Sequence, residues 1–462
     1  MNRKKTSKTT IIICFLLTLI YVIISNYKIL NLDNVWNYSY GYLSVQNKIP
    51  YLEFNTCVMP FQIYSMTIFY KLFGLNMLWV GPLILFILTT IFSFYIIDKT
   101  SITNTLVYKT LFLIINSNNA SNEYNYLIFT LILFLLFVLI KTNNKKILLY
   151  LSPIVFISCI YIKLSLGIML CFFLFPIMLW WIKKTTYILY SLSIFIGITG
   201  FILFCFYINN SLSSFIDQCI WGNLSHSSGS LERILFLLIT VIVFGICLIF
   251  YIKETTDKTI YDLCIIGLII VFTINIYPTF NYYHFCFVFL FIILLLCRLN
   301  IKQLLTCKLL IIAATYFFAT SLIYIKEQKN MLKELEPIKI YNGNYYLTEN
   351  SKKLDYINEY IQENTRKNKT YTYLSSYNMY IDLMLNNQYT IYIDNIIDGN
   401  LGSISVEDFN KFINTDYIIL DVDEQNNYYN CIDNRIINYY KSKKPYKNIY
   451  YNGQCIAIIY KK

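Results

Sequence analysis

The chain has 462 residues, of which 57% are hydrophobic and only 14% charged, with a mean hydropathy of +0.51. A soluble domain carries roughly 25% charged residues, so this composition excludes an ordinary soluble protein and predicts a lipid environment. The formal net charge of +12 does not indicate nucleic acid as a partner, because most basic residues of the apolar part lie in short loops on one side of the predicted membrane.

Apolar runs of about 17–25 residues, long enough to cross a bilayer, recur from residue 10 to about residue 325. The first run, Ile11 to Ile24, follows a basic amino terminus and precedes no small-residue cleavage site, so we interpret it as a retained span. The pattern predicts an α-helical polytopic membrane protein of about eleven spans. Their predicted limits are 10–30, 77–97, 102–118, 124–140, 147–163, 165–182, 186–207, 233–252, 260–277, 283–299 and 305–325.

Basic residues are concentrated in alternate loops, and this asymmetry predicts the orientation. One side carries Lys at 141–146 and 183–184, whereas 185–232 on the other side has none. Since basic loops stay in the cytosol, we expect a multi-pass protein of the cell membrane with a cytoplasmic amino terminus. An odd number of spans then places the carboxy-terminal region outside. The third span, 102–118, is short and contains Lys109, and a re-entrant course there would leave the tail in the cytosol.

After about residue 328 the apolar runs stop and polar residues become dense. We therefore divide the chain into a transmembrane domain, 1–328, with a first outer loop at 31–76, and an extracytoplasmic domain, 329–462. The second domain alternates helical and strand patterns and ends in a hairpin pattern around Asn452-Gly453. This predicts a small α/β domain.

The chain contains thirteen cysteines and two histidines, which are the candidate residues for a zinc site or a disulfide. Most of the cysteines lie in apolar runs, where the thiol behaves as a small hydrophobe. No CxxC pair occurs and the chain has two histidines, so the sequence gives little support for a structural zinc site. Cys431 and Cys455 share the outer domain, and the sequence leaves open whether they are bridged.

Five ionisable residues near the predicted outer face are candidates for chemistry, because a charge at the membrane edge is costly. The acids are Asp33, Glu53 and Glu123, and the donors are Lys163 and His284. Two carboxylates and two donors on four spans at one depth suit a cavity open to the outer leaflet. There a carboxylate can act as general base while Lys and His hold an anionic leaving group.

Each of the four span-associated residues also has an ordinary explanation. Asp33 could be a solvated residue or a helix cap, and Glu123 could be stabilised at a helix start by the macrodipole. Lys163 could snorkel to the head groups, and His284 could sit in an aromatic belt.

Several short motifs resemble those of GT-C glycosyltransferases. In the first outer loop these are Asp33 to Tyr42, then Lys48-Ile-Pro-Tyr-Leu-Glu-Phe54, then Phe69-Tyr-Lys-Leu-Phe-Gly74. Further along, Tyr161-Ile-Lys163-Leu-Ser-Leu-Gly167 and Tyr277-Pro-Thr-Phe-Asn-Tyr-Tyr-His284 are similar to two more motifs of the superfamily. The resemblance is strongest to bacterial relatives of protein O-mannosyltransferases and to the lipid A aminoarabinose transferase.

The resemblance implies a GT-C fold that transfers a sugar, with inversion, from a polyprenyl-phosphate-linked donor. The acceptor would be a glycan, lipid or protein on the outer face. Asp33 would be the general base, and Lys163 with His284 would neutralise the departing lipid phosphate. Glu123 and Glu53 would orient the acceptor or a metal.

The chain departs from the GT-C pattern at two acids. Asn34 and Asn281 stand where an acid is usual, so the presence of a divalent metal is left open. The segment Pro60–Gly74 would lie in the membrane interface and wall the cavity.

Two alternatives remain open from the sequence. A flippase or transporter of lipid-linked glycans would show charges deep in its spans and internal repeats, neither of which is clear here. A polysaccharide polymerase would place its large outer loop between late spans, whereas here the large loop comes first.

Overall fold

The chain divides into two compact units. The first consists of Met1–Tyr27, Leu78–Phe201 and Ser228–Glu327, and the second of Lys28–Met77, Ile202–Ser227 and Gln328–Lys462. The computed structural model describes residues 2–27, 29–30, 32–102, 105–121, 123–142, 144–221, 245, 259–276, 282–298, 338–340, 343–347, 356–357, 359, 371–374, 392–393, 409–410, 413–421, 435, 438–439, 442–451 and 453–461.

Helices dominate the described residues. In chain order they are α1 (Asn2–Asn26), α2 (Leu32–Val45), α3 (Pro60–Phe73), α4 (Met77–Thr100), α5 (Thr105–Asn119), α6 (Tyr124–Thr142), α7 (Lys145–Ile162), α8 (Leu164–Ile182), α9 (Thr185–Ile208), α10 (Leu212–Phe215), α11 (Ile260–Asn275) and α12 (Tyr282–Leu296). A 3₁₀ turn, Gly74–Asn76, joins α3 to α4, and a π-helix, Ile216–Trp221, follows α10.

The strands are short and lie in the second unit. They are β1 (Ile29–Leu30), β2 (Phe54–Asn55), β3 (Ile338–Ile340), β4 (Gly343–Leu347), β5 (Tyr371–Leu374), β6 (Tyr392–Ile393), β7 (Tyr417–Asp421), β8 (Lys447–Tyr451) and β9 (Gln454–Lys461).

Six helical stretches of the described chain are long and apolar enough to cross a membrane, which confirms the predicted membrane character. They are Lys8–Asn26, Pro60–Thr100, Tyr124–Thr142, Lys145–Ile162, Leu164–Ile182 and Thr185–Ile208, and shorter apolar helices occupy Ile260–Asn275 and His284–Leu296. Helices suit such sequences because every interior backbone group is bonded within the segment. The predicted spans 233–252 and 305–325 lie, except for Gly245, outside the described residues. The total of about eleven therefore stays a prediction.

The third predicted span, 102–118, corresponds to α5, a helix of 15 residues. A perpendicular crossing needs about 20 residues. Two polar contacts also tie α5 to α4: Lys109 Nζ lies 2.6 Å from Asp98 Oδ2, and the buried Asn116 donates to Thr89 Oγ1 at 2.8 Å. Crossing and re-entrant courses both remain compatible with this helix.

Two helices of the first unit, α7 and α8, approach closely beside Lys163. That residue is extended (φ −148°, ψ 111°) and separates the end of α7 from the start of α8. One turn into α8, a Cβ placed on Gly167 would lie 2.4 Å from both N and Cα of Ile160. Only a residue without a side chain fits there, so Gly167 permits the tight return that presents Lys163.

We expect Gly167→Ala to destabilise the protein by about 1–3 kcal/mol, because an overpacked contact forces the backbone to shift. The thermal unfolding midpoint of the purified protein in detergent measures this. Gly197→Ala in α9 is the matched control, since nothing lies within 4 Å of its Cβ position. Equal unfolding midpoints for the two variants would show that α7 and α8 leave room for a methyl group at position 167.

Strand pairing joins distant parts of the chain in the second unit. β1 pairs in parallel with β4, and β2 pairs in parallel with β6. Backbone pairing thus links the first outer loop, 31–76, and the two residues just before it to the carboxy-terminal region. The domain limits 1–328 and 329–462 stay a prediction. The second compact unit contains the whole loop, 31–76, together with the tail.

Within the loop, α2 and α3 pack against each other through a glycine. A Cβ on Gly41 would lie 2.5 Å from the carbonyl oxygen of Met66, so the two backbones are in direct contact. The opposite side of α3 exposes Tyr64, Ile68 and Leu72 by 45%, 60% and 68%. Met66 itself is fully buried.

The carboxy-terminal sheet has the order β5-β7-β9-β8. β5 and β7 are parallel, and the other two pairings are antiparallel. The predicted hairpin is confirmed, with Gly453 at φ 81° in its turn, a conformation that glycine adopts without strain. Most residues of the predicted helices of this domain lie outside the described residues. Cys455 is not part of a disulfide, and Cys431 lies outside the described residues.

Candidate functional site

Lys163 and His284 meet in the first unit through a residue that the sequence pattern did not single out. Asn125 lies in the first turn of α6, Lys163 between α7 and α8, and His284 in the first turn of α12. The Lys163 ammonium donates to Asn125 Oδ1 at 3.1 Å, and Asn125 Nδ2 lies 2.8 Å from His284 Nε2. Three helical segments thus converge on one amide, and we call these three residues the Lys163–Asn125–His284 cluster.

The cluster combines a partly accessible cation with buried partners. Asn125 is fully buried and His284 is 5% exposed, whereas Lys163 is half-buried. The ammonium also lies 4.7 Å from the centre of the Tyr124 ring, where the ring quadrupole favours a cation. An ammonium has three N–H donors, so a contact to one amide oxygen and to a ring face leaves donor capacity for an anion.

Glu123 lies next to this cluster. It immediately precedes α6, and its carbonyl accepts from the backbone of Tyr126 and Leu127 at 3.1 Å each. Its carboxylate interacts electrostatically with the Lys163 ammonium. The position of Glu123 is thus that of a helix-start residue close to the Lys163 ammonium.

Glu53 lies in the second unit and makes local contacts. Its carboxylate accepts from the Ile49 backbone at 2.7 Å and pairs with Lys48 at 3.6 Å, and the Glu53 side chain is 37% exposed. Exposed pairs of this kind contribute about 0–1 kcal/mol. The described contacts of Glu53 thus close the turn of its own loop.

Asp33 also belongs to the second unit. It is the second residue of α2, where a carboxylate favours the helix start. Its side chain lies outside the described residues. The structure brings Lys163, His284 and Glu123 together in the first unit. Asp33 and Glu53 belong to the second unit.

A second residue missed from the sequence organises the loop that holds Glu53. Gln218, in the π-helix, accepts from the Thr56 backbone at 2.9 Å and donates to the Tyr51 carbonyl at 3.1 Å. Tyr51 has φ 69°, and its hydroxyl donates to the Val58 carbonyl at 2.7 Å. Burial raises the pKa of this hydroxyl well above its ordinary value. Gln218 is remote in sequence, so only its polarity in an apolar context could have indicated this role.

The part of the chain that the structure describes contains no set of side chains suited to bind a metal ion. There, no group of three or more His, Cys, Asp or Glu side chains could hold an ion. Asn34 is buried in α2, and Asn281 lies outside the described residues. Comparison with known proteins gives no match, either to a protein-family model or to a curated protein.

Proposed function

We propose that the protein is a membrane-bound glycosyltransferase of the GT-C type. It transfers a sugar from a polyprenyl-phosphate-linked donor to a glycan, lipid or protein acceptor on the outer face of the cell membrane. The observation that supports this most is the Lys163–Asn125–His284 cluster, in which a cation and an imidazole converge beside apolar helices.

Placing the Lys163–Asn125–His284 cluster among apolar helices costs free energy, and residues of this kind in membrane spans are usually functional. A polar or charged group among apolar helices loses its hydration, which costs free energy. The ammonium of a lysine is a common ligand of phosphate groups in proteins. Preorganised donors of this kind stabilise the charge that develops on a leaving phosphate. Lys163 and His284 are therefore the proposed ligands of the donor phosphate.

The reaction is a displacement at the anomeric carbon. The acceptor hydroxyl gives its proton to the Asp33 carboxylate while its oxygen bonds to that carbon. The bond between the anomeric carbon and the phosphate oxygen breaks, and its electron pair leaves with the polyprenyl phosphate, which Lys163 holds. Attack from the opposite face inverts the configuration. Glu123 and Glu53 are the proposed acceptor-orienting residues.

The topology that this chemistry needs has its own support. The pairing of β1 with β4 and of β2 with β6 supports a topology in which the loop after α1 and the carboxy-terminal region share one side of the membrane. With a cytoplasmic amino terminus, α1 puts both segments outside. Asp33 lies in that loop.

Transfer is tested with the purified protein in lipid vesicles that contain a polyprenyl-phosphate sugar labelled in the sugar. We expect release of free polyprenyl phosphate together with a glycosylated acceptor from added membrane extract. A flippase or transporter would instead move the intact donor between leaflets without releasing polyprenyl phosphate. A polymerase would extend a glycan chain from lipid-diphosphate units, and either result would overturn the proposal.

A further inference from the structure

The hydrogen bonds of Asn125 restrict the protonation state of His284. A lysine ammonium can only donate, and Lys163 Nζ lies 3.1 Å from one end of the Asn125 amide. The carbonyl oxygen must therefore be the atom that faces Lys163. The other end of the amide, an NH₂ group that can only donate, then faces His284 Nε2 at 2.8 Å.

An imidazole nitrogen that receives a hydrogen bond carries a lone pair and no proton. His284 Nε2 is thus unprotonated, and in the neutral ring the proton sits on Nδ1. We infer that Asn125 is a positioning residue that holds His284 as the neutral Nδ1–H tautomer. Amide orientation is ordinarily ambiguous in a structure, but here the lysine fixes it.

Burial makes this arrangement hard to replace. Asn125 is fully buried and His284 nearly so, which limits water as a substitute partner. Turning the amide over would place NH₂ against ammonium and would leave two donors facing each other. An unsatisfied buried polar group costs about 1–3 kcal/mol. The amide orientation in which Oδ1 faces Lys163 is therefore favoured over the reversed one.

The tautomer changes what His284 contributes. Resting on the proposed function, the positive charge that the cluster offers to the donor phosphate is that of Lys163, because the His284 ring is neutral. His284 then adds no charge to the site, whereas the sequence resemblance assigned it to charge neutralisation. A cationic His284 would lose its bond to the Asn125 NH₂ group.

The chain contains only two histidines, His226 and His284, which makes a direct test simple. The full-length His226→Gln protein, labelled with ¹⁵N-histidine and reconstituted in lipid, has one imidazole to observe by NMR. We expect a pyridine-type signal for Nε2 and a pyrrole-type signal for Nδ1 at neutral pH. Two pyrrole-type signals, or the reverse assignment, would overturn the inference.

A carboxylate at position 125 provides the second measurement. Asn125→Asp offers only acceptor oxygens, so His284 Nε2 should gain a proton and its pyridine-type signal should be lost. Asn118→Asp is the control for the added charge, because Asn118 in α5 donates to the Ile114 carbonyl; its spectrum should match the parent. An unchanged spectrum for Asn125→Asp would contradict the role of Asn125. The spectra are recorded without donor, so failure of sugar transfer and failure of the tautomer are separate results.

Discussion

Asp33→Asn is expected to lower the rate of sugar transfer by about 10²–10⁴-fold, the range that a general base contributes. The amide has nearly the same shape as the carboxylate but cannot accept the acceptor proton. Because Asp33 lies in the first turn of α2, the substitution also removes a favourable helix-terminus charge, worth about 0.3–1 kcal/mol. That loss is too small to unfold the protein, so the effect appears in turnover of the vesicle assay.

Asp217→Asn is the matched control for this experiment. Asp217 is an exposed acid of the same unit, in the π-helix that follows α10. The same loss of one negative charge there should leave transfer within a few-fold of the parent. Full activity of Asp33→Asn would exclude Asp33 as the general base. A decrease of equal size in both variants would indicate a general electrostatic effect of the second unit in place of proton transfer.

Elements that depend on local pattern were predictable from the sequence. The apolar runs at 124–140, 147–163 and 165–182 became α6, α7 and α8 within a few residues, because hydrophobicity and helix length are properties of the segment itself. The carboxy-terminal hairpin followed from strand alternation around a turn glycine. The pairing of β1 and β2 with the tail was not predictable, because two-residue strands carry no sequence signal and their partners lie hundreds of residues away.

The candidate site divides in the same way. Lys163 and His284 were singled out because an ionisable residue at the end of an apolar run is costly, and both contact the Asn125 amide. Asn125 was missed because a neutral amide at a helix start resembles the many other asparagines of this chain. Its role depends on three segments meeting in space. Glu53 was chosen for its motif, but its described contacts are those of a turn.

Lys163→Met is expected to lower kcat for transfer by about 10- to 100-fold, since a hydrogen bond to a charged group is worth about 1.5–3 kcal/mol. The loss should fall mainly on kcat, because the charge on the departing phosphate is larger in the transition state than in the bound donor. Lys163→Arg keeps the charge but replaces a point donor by a planar fork, so it should retain part of the activity.

The matched control lies at the opposite end of α7. Lys145 also combines one carbonyl bond with one aromatic ring: its Nζ donates to the Trp181 carbonyl at 2.7 Å and lies 5.1 Å from the centre of the Trp181 ring. Lys145→Met therefore removes the same kinds of contact without touching Asn125. If both variants lose activity equally, the effect is one of folding or membrane charge. A higher KM with unchanged kcat in Lys163→Met would assign Lys163 to donor binding alone, because its charge would then stabilise ground state and transition state equally.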